Sequence, residues 1–226
     1  MHPTVAKLQH KLIVSCQARA DTPLHGPRFM AAMAEAAERG GAGGIRANGA
    51  EDIRAIRAVT QLPIIGIDKR LDPQGNVIIT PDLESARRVV EAGADLVALS
   101  CAFYQRPSLP ELHTLIREIQ DELGVPVMAD CSTLEEGLWA AEAGADLVAS
   151  TLSGYTPATQ GLHQGPDLEL VADLARQARV PVVAEGRIWT PQEARAALEA
   201  GAYAVVVGTA ITNPTEITRR FVEALL

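Results

Sequence analysis

Six charged side chains stand at the ends of short runs of branched apolar residues: Arg46, Asp68, Lys69, Asp130, Glu185 and Arg187. Lys69 offers the most chemistry. A lysine amine can attack a carbonyl carbon to form a Schiff base, or it can take a proton from the carbon beside the carbonyl. Both uses require the neutral amine. Bringing its pKa from about 10.4 towards 7–8 costs roughly 4 kcal/mol, which burial and the nearby charge of Arg46 can supply. The plainer alternative is a structural ion pair between Lys69 and Asp68, Asp130 or Glu185. Strand alternation lets only one of the adjacent Asp68 and Lys69 point into a barrel, and Lys69 is taken as that one.

Two apolar runs end in glycine, at Glu185-Gly186-Arg187 and at Val207-Gly208-Thr209. Without a side chain, Gly186 and Gly208 let backbone N–H groups approach an anion, and Arg187 and Thr209 add donors, so a phosphate site is expected there. Glycines that merely end strands are the alternative. Cys131 has no His at a neighbouring strand exit and is read as a buried thiol rather than a nucleophile. His163 is read as a solvated loop residue, and His10, His25 and His113 lack ligand spacing, so no metal is expected. Residues 72–81 are long for a strand-to-helix connection and are read as a lid, while Tyr155 either joins that lid or packs within its own loop.

A repeat supplies the scaffold for these groups. The phrase Glu91-Ala92-Gly93-Ala94-Asp95-Leu96-Val97 returns as Glu142-Ala143-Gly144-Ala145-Asp146-Leu147-Val148 and as Glu199-Ala200-Gly201-Ala202-Tyr203-Ala204-Val205, 51 and then 57 residues on. Each copy ends an amphipathic helix, turns on a glycine suited to the left-handed position and enters a strand. A weaker copy starts at Glu38, and an interval near 50 fits two βα units. Three more strands open after Pro63, Pro126 and Pro181, and one covers Lys11 to Ser15. The eight predicted strands are 11–16, 43–46, 63–68, 96–100, 126–130, 147–150, 181–185 and 204–208, with helices between them and a last one over 214–225. Eight such units imply a closed (β/α)8 TIM barrel, one domain over residues 1–226. A doubly wound sheet is the alternative; it would need an early phosphate-loop or dinucleotide glycine pattern, and Gly40-Gly41-Ala42-Gly43-Gly44 precedes a strand instead.

Composition agrees with this architecture. Of 226 residues 47% are hydrophobic but only 4% aromatic, so the core must be aliphatic, as parallel barrels are. A formal net charge of −8 argues against a nucleic-acid surface or an anionic membrane as partner, although a few basic groups in one cleft still suit a small anion. Three cysteines without metal or disulfide spacing, no apolar stretch of spanning length and no secretory start point to a cytoplasmic protein.

With these residues in hand, the chain resembles the N-acylmannosamine-6-phosphate 2-epimerase family from about Leu12 onward. The likeness rests on Ser15-Cys16-Gln17-Ala18, Gly44-Ile45-Arg46-Ala47-Asn48-Gly49, Ile67-Asp68-Lys69, Met128-Ala129-Asp130-Cys131-Ser132, Ser153-Gly154-Tyr155-Thr156 and Ala184-Glu185-Gly186-Arg187-Ile188. The resemblance implies a cofactor-free TIM barrel, often a homodimer, that interconverts N-acetylmannosamine 6-phosphate and N-acetylglucosamine 6-phosphate in sialic-acid and amino-sugar breakdown. It implies Lys69 and Glu185 as the catalytic pair, Gln17, Arg46 and Asp130 as sugar-binding residues, and the Gly186-Arg187 and Gly208-Thr209 loops as the phosphate site. One departure stands out: Asn213 precedes Pro214 where the family usually has Arg, so phosphate is bound more weakly, or Arg187 or Arg219 compensates. A Schiff-base aldolase or lyase of a phosphorylated sugar, and a non-catalytic sugar-phosphate sensor, are the rival functions on the same scaffold.

Overall fold

The structure is a computed structural model that describes residues 1–71, 76–106, 108–162 and 164–226. In chain order its elements are α1 (Pro3–Ala6), β1 (Leu12–Cys16), α2 (Pro27–Arg39), β2 (Gly44–Asn48), α3 (Ala50–Arg57), β3 (Ile64–Ile67), β4 (Lys69–Leu71) and β5 (Val77–Ile79). There follow α4 (Leu83–Glu91), β6 (Leu96–Ser100), α5 (Leu109–Leu123), β7 (Val127–Asp130), α6 (Leu134–Glu142), β8 (Leu147–Ala149) and a 3-10 turn, Ser150–Leu152. The chain ends with α7 (Leu168–Gln177), β9 (Val182–Glu185), α8 (Pro191–Glu199), β10 (Ala204–Val207), α9 (Thr209–Thr212) and α10 (Pro214–Glu223).

Eight strands form a closed barrel in the order β1-β10-β9-β8-β7-β6-β3-β2, all neighbours parallel. Closure runs through Leu12 opposite Val205, which disposes of the doubly wound alternative. The expected strands all appear at nearly the expected bounds. The elements not foreseen are α1, the 3-10 turn, α9, and an antiparallel hairpin, β4–β5, that pairs Lys69 with Ile79 outside the barrel. Part of the presumed lid is therefore the return strand of this hairpin, and residues 72–75 lie outside the described residues, as does His163.

Local sequence explains the helix ends. Asp82, Ser108 and Asp167 accept hydrogen bonds from the backbone N–H three residues on, and Thr133 with Glu136 and Thr190 with Glu193 form reciprocal capping boxes. Each such cap is worth about 1 kcal/mol. The repeat glycines Gly93, Gly144 and Gly201 take φ of 114°, 99° and 106°, where a side chain would be strained. The repeat aspartates turn out to tie adjacent strand starts together: Asp95 accepts from Ile64 N–H and Asp146 from Val127 N–H, each at 2.9 Å.

Alternate residues of each strand face two aliphatic layers. Ile13, Ile65, Ile67, Leu96, Met128, Leu147, Val183 and Val206 fill the barrel, and Val5 and Leu8 of the N-terminal segment close its floor. Ile45, Ala47, Val97, Leu99, Val127, Val148 and Val205 pack outward beneath the helices. Burying a residue of this size stabilises the fold by roughly 1.5–3 kcal/mol. Trp139 packs on the outer layer and against Phe103, and Trp189 stacks under Arg220. Helix α10 stands apart: no residue in it is buried, and Phe221 is 71% exposed. Among the described residues no helix is long and apolar enough to cross a membrane.

Candidate active site

The two-residue period decides which polar groups meet. Ile45 and Ala47 face the helices, so Arg46 between them turns into the barrel; by the same rule Asp130 follows outward Ala129, Glu185 follows outward Ala184, and Ser15 follows outward Val14. Cys16, Cys101 and Cys131, one position later, fall in the outer layer. Burial pushes the Cys16 thiol up to about 12 and those of Cys101 and Cys131 well above the usual thiol value, so none is a nucleophile.

Inside, Arg46 is 1% exposed and bridges two carboxylates from distant strands. Its Nη1 and Nη2 donate to Asp130 Oδ1 and Oδ2 at 3.0 and 2.6 Å, and Nη1 also donates to Glu185 Oε2 at 2.7 Å. Thr151 Oγ1 adds contacts to Asp130 Oδ1 at 2.6 Å and Glu185 Oε2 at 3.2 Å. Ser150 pins the Glu185 backbone, its Oγ accepting from Glu185 N–H and donating to Glu185 C=O, each at 3.1 Å. Ser150 and Thr151 directly follow β8, and nothing in their sequence signals these roles.

Asp68 faces away from this network, taking a 2.5 Å hydrogen bond from Arg88 of α4. Lys69 opens the hairpin, with its N–H donating to Asn48 Oδ1 at 2.8 Å. Among the described residues no carboxylate lies within ion-pair distance of its amine, so the structural ion pair is not formed there. One side of Lys69 is open to solvent, yet the protein packed around its other side lowers its pKa; Arg46 lowers it further, against Glu185 and Asp130. The Glu185 carboxyl is pushed the other way, upward, chiefly by burial and also by Asp130, while Arg46, Lys69 and the Thr151 hydroxyl oppose. Arg46 stays charged: burial works against its charge, but Asp130 and Glu185 outweigh it.

The remaining expected residues surround the mouth. Gln17 Nε2 donates to Ser15 Oγ at 2.8 Å, and its Oε1 is buried without a partner among the described residues, as is Arg46 Nε. Gly186 has φ 116°, and a side chain at Gly208 would crowd Ser15. Thr209 is exposed at the start of α9. Arg187, in contrast, is largely spent on its neighbours: Nε and Nη1 donate to Gly165 C=O and Ser153 C=O, and its guanidinium lies 5.3 Å from the Tyr155 ring. It clamps the loop after β8 and carries Tyr155, itself 61% exposed, at the lip. Asn213 caps α10, accepting from Glu216 N–H at 3.2 Å, and Arg219 is held by Glu216 at 2.6 Å, so neither stands in for a phosphate-binding arginine.

A parallel barrel whose C-terminal mouth gathers an amine, a buried guanidinium and two carboxylates belongs to the (β/α)8 barrels, the class whose active sites sit at that mouth. The comparisons narrow the class. The family model described as "Putative N-acetylmannosamine-6-phosphate epimerase" matches residues 30–226. A relative from Caldanaerobacter subterraneus subsp. tengcongensis, named "Putative N-acetylmannosamine-6-phosphate 2-epimerase", is 52% identical over 96% of this chain and 92% of its own. A relative of the same name from Shouchella clausii is 44% identical over the whole of both chains. The solved structure of the N-acetylmannosamine-6-phosphate 2-epimerase from Clostridium perfringens superposes with a TM-score of 0.91 at 41% identity, covering 99% of this chain and 96% of that one. The chain belongs to the N-acetylmannosamine-6-phosphate epimerase family.

Proposed function

We propose that this protein is a cytoplasmic enzyme that interconverts N-acetylmannosamine 6-phosphate and N-acetylglucosamine 6-phosphate, a step of sialic-acid and amino-sugar breakdown, on a single barrel domain. The observation that carries the reading is the Arg46–Asp130–Glu185 network beside Lys69, in a chain of this family.

The C2 hydrogen of a closed pyranose is not acidic, so the ring first opens to the aldehyde. Lys69 then takes the C2 proton; the C–H electron pair forms the C1–C2 double bond and the C1 oxygen becomes an enolate, steadied by Arg46. Glu185 gives its proton to the opposite face of C2. Its Oε2 is engaged by Arg46 and Thr151, which leaves Oε1 as the proton carrier. Lys69 and Glu185 then exchange one proton to reset the pair. Every step moves protons between groups the chain supplies, so no metal or redox cofactor is called for.

The productive form therefore has a neutral amine and a protonated carboxyl. With ordinary pKa values about 6 units apart, that form is only about one in a million of the pairs that share one proton. Raising Glu185 and lowering Lys69 narrows the gap, and each unit gained multiplies the productive form about tenfold. Gln17 and Asp130 orient the sugar, the Gly186-Arg187 and Gly208-Thr209 loops receive the phosphate, and Tyr155 shields the mouth. A homodimer would cover the exposed apolar residues of α10.

The test is an NMR spectrum of purified protein with N-acetylmannosamine 6-phosphate, in which the C2 epimer appears. A product cleaved between carbons, or trapped on Lys69 by borohydride, would make it an aldolase or lyase; binding without turnover would make it a sensor.

A further inference from the structure

Lys69 does not sit on a barrel strand. It opens the β4–β5 hairpin, a two-stranded sheet separate from the barrel sheet, so something other than the barrel's ladder must hold its position. The return strand ends at Ile79, opposite Lys69, and the next residue is Thr80. Thr80 is fully buried and has φ +46°, a left-handed conformation that a β-branched residue strongly disfavours.

Its polar atoms explain why the strain persists. Thr80 N–H donates to Asp68 C=O at 2.9 Å, and Asp68 N–H donates to Thr80 Oγ1 at 3.1 Å, so one residue holds both backbone groups of the residue just before Lys69. The same hydroxyl donates to Ala98 C=O at 2.7 Å, which ties the hairpin base to β6 of the barrel. Arg106 Nη2 donates to Thr80 C=O at 3.0 Å and fixes the far side. Glycine would take this φ freely. What threonine adds is the hydroxyl.

We infer that Thr80 is a positioning residue for Lys69, its hydroxyl clamping the hairpin base to β6 so that the amine faces Arg46 and Glu185. The inference rests on the reading of Lys69 as the base that takes the C2 proton.

The deciding variant is Thr80→Gly, which relieves the backbone strain while deleting the hydroxyl, with Thr80→Ser as the conservative rescue. The chain has only three lysines, Lys7, Lys11 and Lys69, and the first two are exposed, so 13C-dimethylation gives a lysine spectrum simple enough to follow Lys69 alone. In Thr80→Gly the Lys69 resonance should titrate at higher pH than in the wild type, with the melting temperature unchanged or raised. The value of kcat should fall about 10–100-fold, as expected for a misplaced catalytic group, with KM within about 2-fold. Thr80→Ser should restore both readouts. An unchanged Lys69 titration in Thr80→Gly overturns the inference, and so does a loss of kcat that Thr80→Ser shares in full. If the wild type does not epimerise, the reading of Lys69 as base fails, while the resonance shift still decides whether Thr80 holds the amine in place.

Discussion

Arg46 Nη1 donates to Glu185 Oε2 at 2.7 Å, but both Nη atoms of the same guanidinium are already engaged by Asp130. One buried cation thus faces two carboxylates and gives the better, bidentate geometry to Asp130. Glu185 is left with a single share of that cation in a site that disfavours its charge, which is why it is the acid in the proposed chemistry.

Lys69→Met and Glu185→Gln should each lower kcat by about 10²–10⁴ with the fold retained. In deuterated water the wild type places solvent deuterium at C2, and Lys69→Met should not. Exchange at wild-type rates in both variants would remove the pair from the mechanism.

Thr151→Val removes a hydroxyl that lowers the Glu185 pKa. The acid limb of the kcat profile, which reports loss of the first proton from the Lys69–Glu185 pair, should move to higher pH, and Thr151→Ser should leave it in place. An unmoved limb in Thr151→Val would show that the hydroxyl does not reach Glu185 in the working enzyme.

Glu185→Gln should stabilise the protein at neutral pH. The folded-state pKa of Glu185 is raised, so the native protein holds a proton that the unfolded chain has lost. The stability this confers is full below about pH 4.3 and is lost as pH rises through the folded value. Glutamine does not titrate, so the variant should gain about 0.5–2 kcal/mol near pH 7, a gain that disappears on acidification. Urea unfolding at pH 7 and pH 4 measures both.

Asn213→Arg should trade stability for affinity. It deletes the α10 cap and puts a cation at a helix N-terminus, costing about 1 kcal/mol and lowering Tm by roughly 2–4 °C. If the neighbouring loop holds the phosphate, KM for the phosphorylated sugar falls about 10-fold, the worth of one charged hydrogen bond, and KM for the unphosphorylated sugar does not change.

The barrel and the inward Arg46, Asp130 and Glu185 were legible in the sequence because each depends on a local period: the Glu-Ala-Gly-Ala joints and the two-residue alternation of strands. What could not be read arises where the chain leaves that period. Lys69 lies beyond the end of β3, so alternation says nothing about how the hairpin presents it, and the pairing of Val77 with Leu71 leaves no mark in the composition of the loop. The place of Arg187 after Gly186 gives no hint of its hydrogen bonds to Gly165 C=O and Ser153 C=O, because that loop lies more than twenty residues upstream. Asn213 lacks the charge of an arginine, yet Asn before Pro and three residues ahead of Glu216 suits a helix cap.

Closure between the first and last strands also sets the timetable of biosynthesis. While the ribosome is still extending the chain, the outer edge of β1 has no neighbour until Val205 has been made, and Arg46 must wait in water for Glu185. Unpaired edges of this kind invite wrong partners and slow maturation. Until β10 is made, the outer edges of β1 and β9 both stand unpaired, and β9 is the strand that carries Glu185.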